Sequence, residues 1–180
     1  MGSQARRLGA ATVLPGFTVA AQPAQAAPTA SGSGYHIYAH GMLSDGVVGF
    51  NASDIGQPTP IAGRAPTGVP DWPQAATPDG RFLYVAPMRN PRLIAYSIGS
   101  GGALTATGAP LALPDIPVDI TFAPNSRYGY VLVGGVNGAV VPVRLGTDGA
   151  PVANGPTMSL GAFTDGLRPC RRSTERRTGR

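Results

Sequence analysis

Pro78-Asp79-Gly80-Arg81-Phe82-Leu83-Tyr84-Val85 is the stretch that decides the fold, because its parts come back 46 residues later. Pro124-Asn125-Ser126-Arg127 repeats the opening turn, and Tyr130 repeats Tyr84. The same step reaches back to Tyr38. It also joins Val48, Ile94 and Val140, then Phe50, Tyr96 and Pro142, and the turn positions Asp45, Pro91 and Asn137. Self-similarity at a period of about 40 to 50 residues, carried by short β-type runs, marks the blades of a propeller. The expected fold class is therefore all-β, a partial β-propeller of about three blades of antiparallel strands.

Each repeat reads as a small sheet. In the middle repeat Phe82 to Ala86 forms a strand, Arg89-Asn90-Pro91-Arg92 turns, and Leu93 to Ile98 returns. The third repeat reads as Tyr128 to Val133, a tight Asn137-Gly138 turn, and Ala139 to Leu145, with Asp45-Gly46 as the matching turn of the first. Asn-Gly and Asp-Gly supply the positive φ values that a two-residue hairpin needs. Weaker outer strands follow at Leu104 to Leu113 and Val152 to Leu160, and Trp72 to Thr77 and Pro117 to Ala123 open the next blades. Pro142 removes a ladder donor, so its strand is bulged there or its amide position points away from the neighbour.

Thr77-Pro78-Asp79-Gly80-Arg81-Phe82-Leu83-Tyr84-Val85, followed about ten residues later by Ile94-Ala95-Tyr96, resembles the blade consensus of the lactonase-like, seven-bladed propeller family. That family includes bacterial 6-phosphogluconolactonases and stands close to YVTN-type repeat proteins. The resemblance covers Tyr35 to Leu167 and is specific for the blade type. It implies a propeller and, for the parent, hydrolysis of a lactone or related ring ester. The alternative it leaves open is a non-catalytic propeller repeat protein that binds a small-molecule or protein ligand at its channel face. A seven-bladed ring at this period needs roughly 300 residues or more, so 180 residues make an N-terminal fragment with open blade edges and a tendency to self-associate.

Composition agrees with many short strands, since 26 Gly and 19 Pro punctuate runs of Val, Ile, Leu and Tyr. All 14 basic residues are Arg, and eight of them crowd the two ends. Residues 27 to 167 hold six Arg against eight Asp, so the high pI gives no ground for a nucleic-acid partner. No apolar run is long enough to span a membrane. Arg6 and Arg7, the apolar stretch from Leu8 to Ala21, and Ala24-Gln25-Ala26 have the layout of an export signal cleaved after Ala26. The expected organisation is a signal at 1–26, a linker at 27–34, blades at 35–167 and a basic tail at 168–180. In the tail the next blade's turn and Tyr should fall near positions 170 and 176, where Cys170-Arg171-Arg172 and Arg176 stand instead. A shifted reading frame or a basic arm accounts for this break. Cys170 is alone, so no intramolecular disulfide forms.

Candidate chemistry is sparse. There is no Gly-x-Ser-x-Gly elbow and no Gly-rich phosphate loop. His36 and His40 share one face of a strand but stand about 13 Å apart, too far to hold one metal. Asp119, in the strand expected to line the channel, recurs 46 residues later as Asp165. Two carboxylates from adjacent blades at one channel are the weak catalytic candidates, as a base or a cation ligand; the other reading is that each satisfies turn amides. Arg81 and Arg127 recur with their turn and read as structural, and Trp72 packs between blades or lines a pocket. No cofactor or metal is expected.

Overall fold

The computed structural model describes residues 34–40, 46–52, 56–67, 71–134, 137–161 and 166–167, with backbone alone for Asp71 and Trp72. The expected signal, the linker save Gly34, and the basic tail lie outside the described residues. All regular structure within them is antiparallel sheet. β1 (Tyr35–His40), β2 (Val47–Ala52) and β3 (Thr59–Ala65) form the first sheet in that order. β4 (Asp71–Ala76), β5 (Phe82–Pro87), β6 (Arg92–Ile98) and β7 (Leu104–Ala112) form the second. β8 (Pro117–Phe122), β9 (Tyr128–Val133) and β10 (Ala139–Leu145) continue into a third sheet, in which β11 (Pro151–Ala153) and β12 (Met158–Ser159) both pair with β10. These sheets are the three blades of a partial propeller, and they do not close.

The turn between β4 and β5 shows why the quoted stretch carries so much information. The Thr77 hydroxyl donates to the Asp79 carboxylate at 2.6 Å, the Phe82 amide donates to the Thr77 hydroxyl oxygen at 3.1 Å, and the Arg81 amide donates to Asp79. Gly80, at φ 71°, supplies the left-handed residue that lets the chain reverse. In the third blade Ser126 takes that place at φ 54°, a conformation that non-glycine residues seldom adopt. Its hydroxyl oxygen accepts the Asp79 amide at 3.0 Å, so the two turns are tied together.

Blade two is buried on both faces. Leu83, Val85, Ile94 and Tyr96 pack against Val47 and Ala65 of blade one. Phe82, Tyr84, Ala86, Leu93 and Ala95 pack against Phe122, Val131, Val133, Val141 and Val143 of blade three. All six residues of β5 are consequently buried, and a strand covered on both sides reads as one apolar run without alternation. The Tyr84 and Phe122 rings meet at a 5.0 Å centroid distance, tilted, in the preferred geometry for aromatic pairs. Burial of each such large side chain is worth about 1.5–3 kcal/mol.

Two details of the repeat are corrected. β9 and β10 are joined by residues 134–138, one more than the link at 88–91, so Asn137-Gly138 is the end of a five-residue connection and not a two-residue turn. Six residues likewise separate β1 from β2, with Asp45 outside the described residues. The added residue moves every later equivalence in blade three by one. Leu83 pairs with Tyr96 in blade two, whereas Gly129 pairs with Val143 in blade three. The partner of Tyr96 across the repeat is therefore Val143, and Pro142 stands on the opposite face beside Tyr130. A one-residue slip turns a strand over. Pro142 meets no donor problem, because its carbonyl accepts from Asn154 on the outer side, away from β9, and its missing N–H lies on that side too.

Candidate functional site

β4 and β8 are the innermost strands of their blades and lie beside each other. Both ladders slip register at the start, between Asp71 and Gln74 and between Pro117 and Asp119. Such bulges re-aim side chains and recur next to functional sites. Here the re-aimed side chain is Asp119. It is half-buried, its Oδ1 accepts the Ile120 amide at 2.8 Å, and its Oδ2 accepts the Leu167 amide at 2.6 Å. The carboxylate thus fastens the inner strand of blade three to a segment 48 residues further on. This is the amide-satisfying use of an aspartate, strengthened by its charge. Asp165 lies outside the described residues, so the pair is not brought into view.

The remaining sequence candidates separate in the same way. His36 and His40 both stand on β1, and the His36 ring nitrogen Nδ1 hydrogen-bonds Asn51 Oδ1 at 2.8 Å. No three His, Cys, Asp or Glu side chains come together as metal ligands among the described residues. Arg81 places its guanidinium over the Phe82 ring, 5.0 Å from the centroid, which is a structural cation–π contact. The amide of Arg127 donates to Asn125 as that of Arg81 does to Asp79. Burial opposes the charge on Asp79, but hydrogen bonds from Thr77 and the Arg81 amide and the charge of Arg81 outweigh it and hold its carboxyl below the ordinary value.

Sequence reasoning missed the contact that joins the blades. The Tyr38 hydroxyl donates to the Gly102 carbonyl at 2.7 Å, and the Tyr84 hydroxyl donates to the Gly149 carbonyl at 2.5 Å. Each glycine closes the same turn after the third strand of a later blade: Gly102 N–H bonds Gly99 O, and Gly149 N–H bonds Gly146 O. The recurrence of Tyr38 and Tyr84 was visible in the sequence, but their acceptors sit 64 and 65 residues away. Burial raises the pKa of both phenols, so they stay proton donors well into alkaline pH. A cleft of about 100 Å³ lies beside the first of these contacts, lined by Tyr38, Ile61, Arg64 and Gly102 among others. It is small against the several hundred Å³ of ordinary ligand pockets.

No family model and no curated protein matches the chain. Solved structures do. A putative 6-phosphogluconolactonase from Bacteroides uniformis overlays with a TM-score of 0.66 at 16% identity, covering 74% of this chain and 40% of its own. Its fold is that of the lactonase-like β-propellers. A second putative 6-phosphogluconolactonase, from Bacteroides fragilis, gives a TM-score of 0.62 at 18% identity over 69% of this chain and 36% of its own. The periplasmic gluconolactonase PpgL of Pseudomonas aeruginosa gives 0.56 at 18% over 69% and 36%. The chain spans well under half the length of these lactonase-like propellers. Among its described residues no helix is long and apolar enough to cross a membrane.

Proposed function

We propose that the chain is an exported part of a lactonase-like propeller whose complete ring hydrolyses a lactone or related ring ester. In that reaction water adds to the acyl carbon, the ring C–O bond breaks, and the ring oxygen takes a proton to leave a hydroxy acid. The observation that carries this reading is the overlay on a putative 6-phosphogluconolactonase across 74% of the chain at a TM-score of 0.66. Export is supported by the Arg6-Arg7 and Ala24-Gln25-Ala26 layout and by the periplasmic location given for the Pseudomonas gluconolactonase.

Three blades hold only part of a channel. Hydrolysis needs groups from several blades fixed around one axis, and an error near 1 Å costs about a hundredfold in rate. The reading therefore assigns the activity to the ring and not to the isolated blades. The test is a chimera in which residues 35–161 replace the matching blades of the Pseudomonas gluconolactonase. A folded chimera that still opens glucono-1,5-lactone, followed by acid release, supports the assignment. One that folds and leaves the lactone intact favours a non-catalytic ring that binds a ligand or protein, the reading that fits the engagement of both Asp119 oxygens by amides.

A further inference from the structure

The five asparagines of the chain differ in what decides their chemical lifetime, the state of the backbone nitrogen that follows each of them. An asparagine amide is lost when that nitrogen attacks the side-chain carbon, which closes a five-membered succinimide and releases ammonia. Water then opens the ring at either carbonyl. The product is aspartate or, with the backbone routed through the side chain, isoaspartate. The attack needs a nitrogen that no neighbouring side chain shields and no acceptor holds, in a backbone free to turn.

Three of the five do not meet these conditions. Asn90 precedes Pro91, which has no N–H. Asn125 precedes Ser126, whose amide donates to the Ala123 carbonyl at 2.9 Å. Asn51 holds the His36 ring through its Oδ1, and the next residue, Ala52, is buried and paired with Tyr35. Two Asp-Gly steps, open to the same chemistry, are guarded alike: Gly80 N–H is held by the Thr77 carbonyl and Gly149 N–H by that of Gly146. The two Asn-Gly steps remain. Gly138 is buried just before β10 and its carbonyl accepts the Leu160 amide at 2.7 Å, which fixes the backbone after Asn137. Gly155 is exposed at φ 102°, with open space where a Cβ would stand. Its N–H donates to no backbone carbonyl among the described residues. Asn154 is exposed too, and its own amide is anchored on the Pro142 carbonyl at 2.9 Å.

We propose that Asn154-Gly155 is a self-modifying site of the folded chain, where the Gly155 nitrogen displaces ammonia from the Asn154 side chain and water yields chiefly isoaspartate. The bond formed joins Gly155 N to Asn154 Cγ, the bond broken is Cγ–Nδ2, and the Gly155 proton leaves with the ammonia. The position gives the product a structural effect. Residues 154–157 join β11 to β12, and both strands pair with β10, Ala153 against Val143 and Met158 against Val140. An isoaspartate adds one methylene to the backbone of that link and a carboxylate beside it. The added length has no counterpart on β10, so it is taken up by β12, whose two residues offer little pairing to resist it. The outer edge of blade three thus loosens with age, and no enzyme or cofactor is needed.

The test ages the full chain in neutral buffer and digests it with trypsin. Arg64, Arg92, Arg127 and Arg144 separate successive asparagines, so each falls on its own peptide. Mass spectrometry should show the Asn154 peptide gaining the mass of an amide-to-acid exchange at least about tenfold faster than the Asn137 peptide. The Asn51, Asn90 and Asn125 peptides should not change. In concentrated urea the two Asn-Gly peptides should convert at equal rates, because the fold makes the difference between them. An isoaspartate-specific methyltransferase with labelled S-adenosylmethionine should mark the aged wild type and leave Asn154→Gln, whose longer side chain closes no five-membered ring, nearly unlabelled. Hydrogen exchange at the Leu160 amide should quicken in the aged chain and stay unchanged in Asn154→Asp, which gains the charge without the methylene. An Asn154 peptide that keeps its mass in the folded chain, or converts no faster than the Asn137 peptide, overturns the proposal. So does conversion without isoaspartate label. Equal Leu160 exchange in the aged wild type and Asn154→Asp overturns the loosening of β12.

Discussion

Gly149→Ala tests the packing of the blades most sharply. Gly149 has φ 85°, its carbonyl accepts the Tyr84 hydroxyl, and an added Cβ would stand 2.4 to 2.9 Å from three carbons of the Phe82 ring. The left-handed backbone costs an alanine about 1–2 kcal/mol. Overpacking adds about 1–3 kcal/mol, because Phe82 is buried in the core between blades two and three and cannot swing aside. The lower entropy of the unfolded alanine chain offsets about 0.4–1 kcal/mol. The expected loss is therefore about 1–4.5 kcal/mol, a large fraction of a domain's stability. Gly80→Ala provides the reference, since Gly80 has φ 71° with no atom near the added Cβ, and the same terms leave it at about 0–1.5 kcal/mol. Urea midpoints at constant slope measure both, and Phe82→Leu in the Gly149→Ala background should recover part of the difference. Equal losses for the two glycine variants would refute the claim that close approach to Phe82, and not backbone conformation alone, holds this turn.

Tyr84→Phe leaves the buried Gly149 carbonyl without its donor and should cost about 1–3 kcal/mol, whereas Tyr38→Phe, at a partly buried site, should cost nearer 0.5–1.5 kcal/mol; the urea midpoints should fall in that order, and the reverse order would contradict it. The carboxyl of Asp79 titrates below its ordinary value in the folded chain, so its contribution is present above pH about 4 and is lost as pH falls through the lower folded value. Because Asp79 is exposed, the effect should stay within about 1 kcal/mol. Wild type and Asp79→Asn should differ more in urea midpoint at pH 7 than at pH 2.5, and a gap independent of pH would rule the charge out.

The sheet was legible in the sequence because Tyr38, Tyr84 and Tyr130 share a side of their strands and the Pro-Asp-Gly-Arg turn has few conformations. The third strand of blade three was not. Val140, Val141 and Val143 put similar side chains on both faces, so no alternation betrays the extra residue that makes Val143, and not Pro142, the counterpart of Tyr96. Asp119 stood out as a recurrent acid, yet its partner amide at Leu167 is set by how the chain returns to the inner strand, which residue spacing does not encode. Gly102 and Gly149 looked like ordinary turn residues. Their role comes from rings on another blade, at distances that only the packed sheets define.

Every outermost strand in the three blades carries a proline: Pro60 in β3, Pro110 in β7 and Pro151 in β11. β11 and β12 are besides only three and two residues long, with Gly155 and Pro156 between them. A strand that lacks an amide hydrogen at its proline, or that is broken into short pieces, makes a poorer template for cross-β growth. Chains that meet along these rims therefore offer one another a poor template for fibril growth.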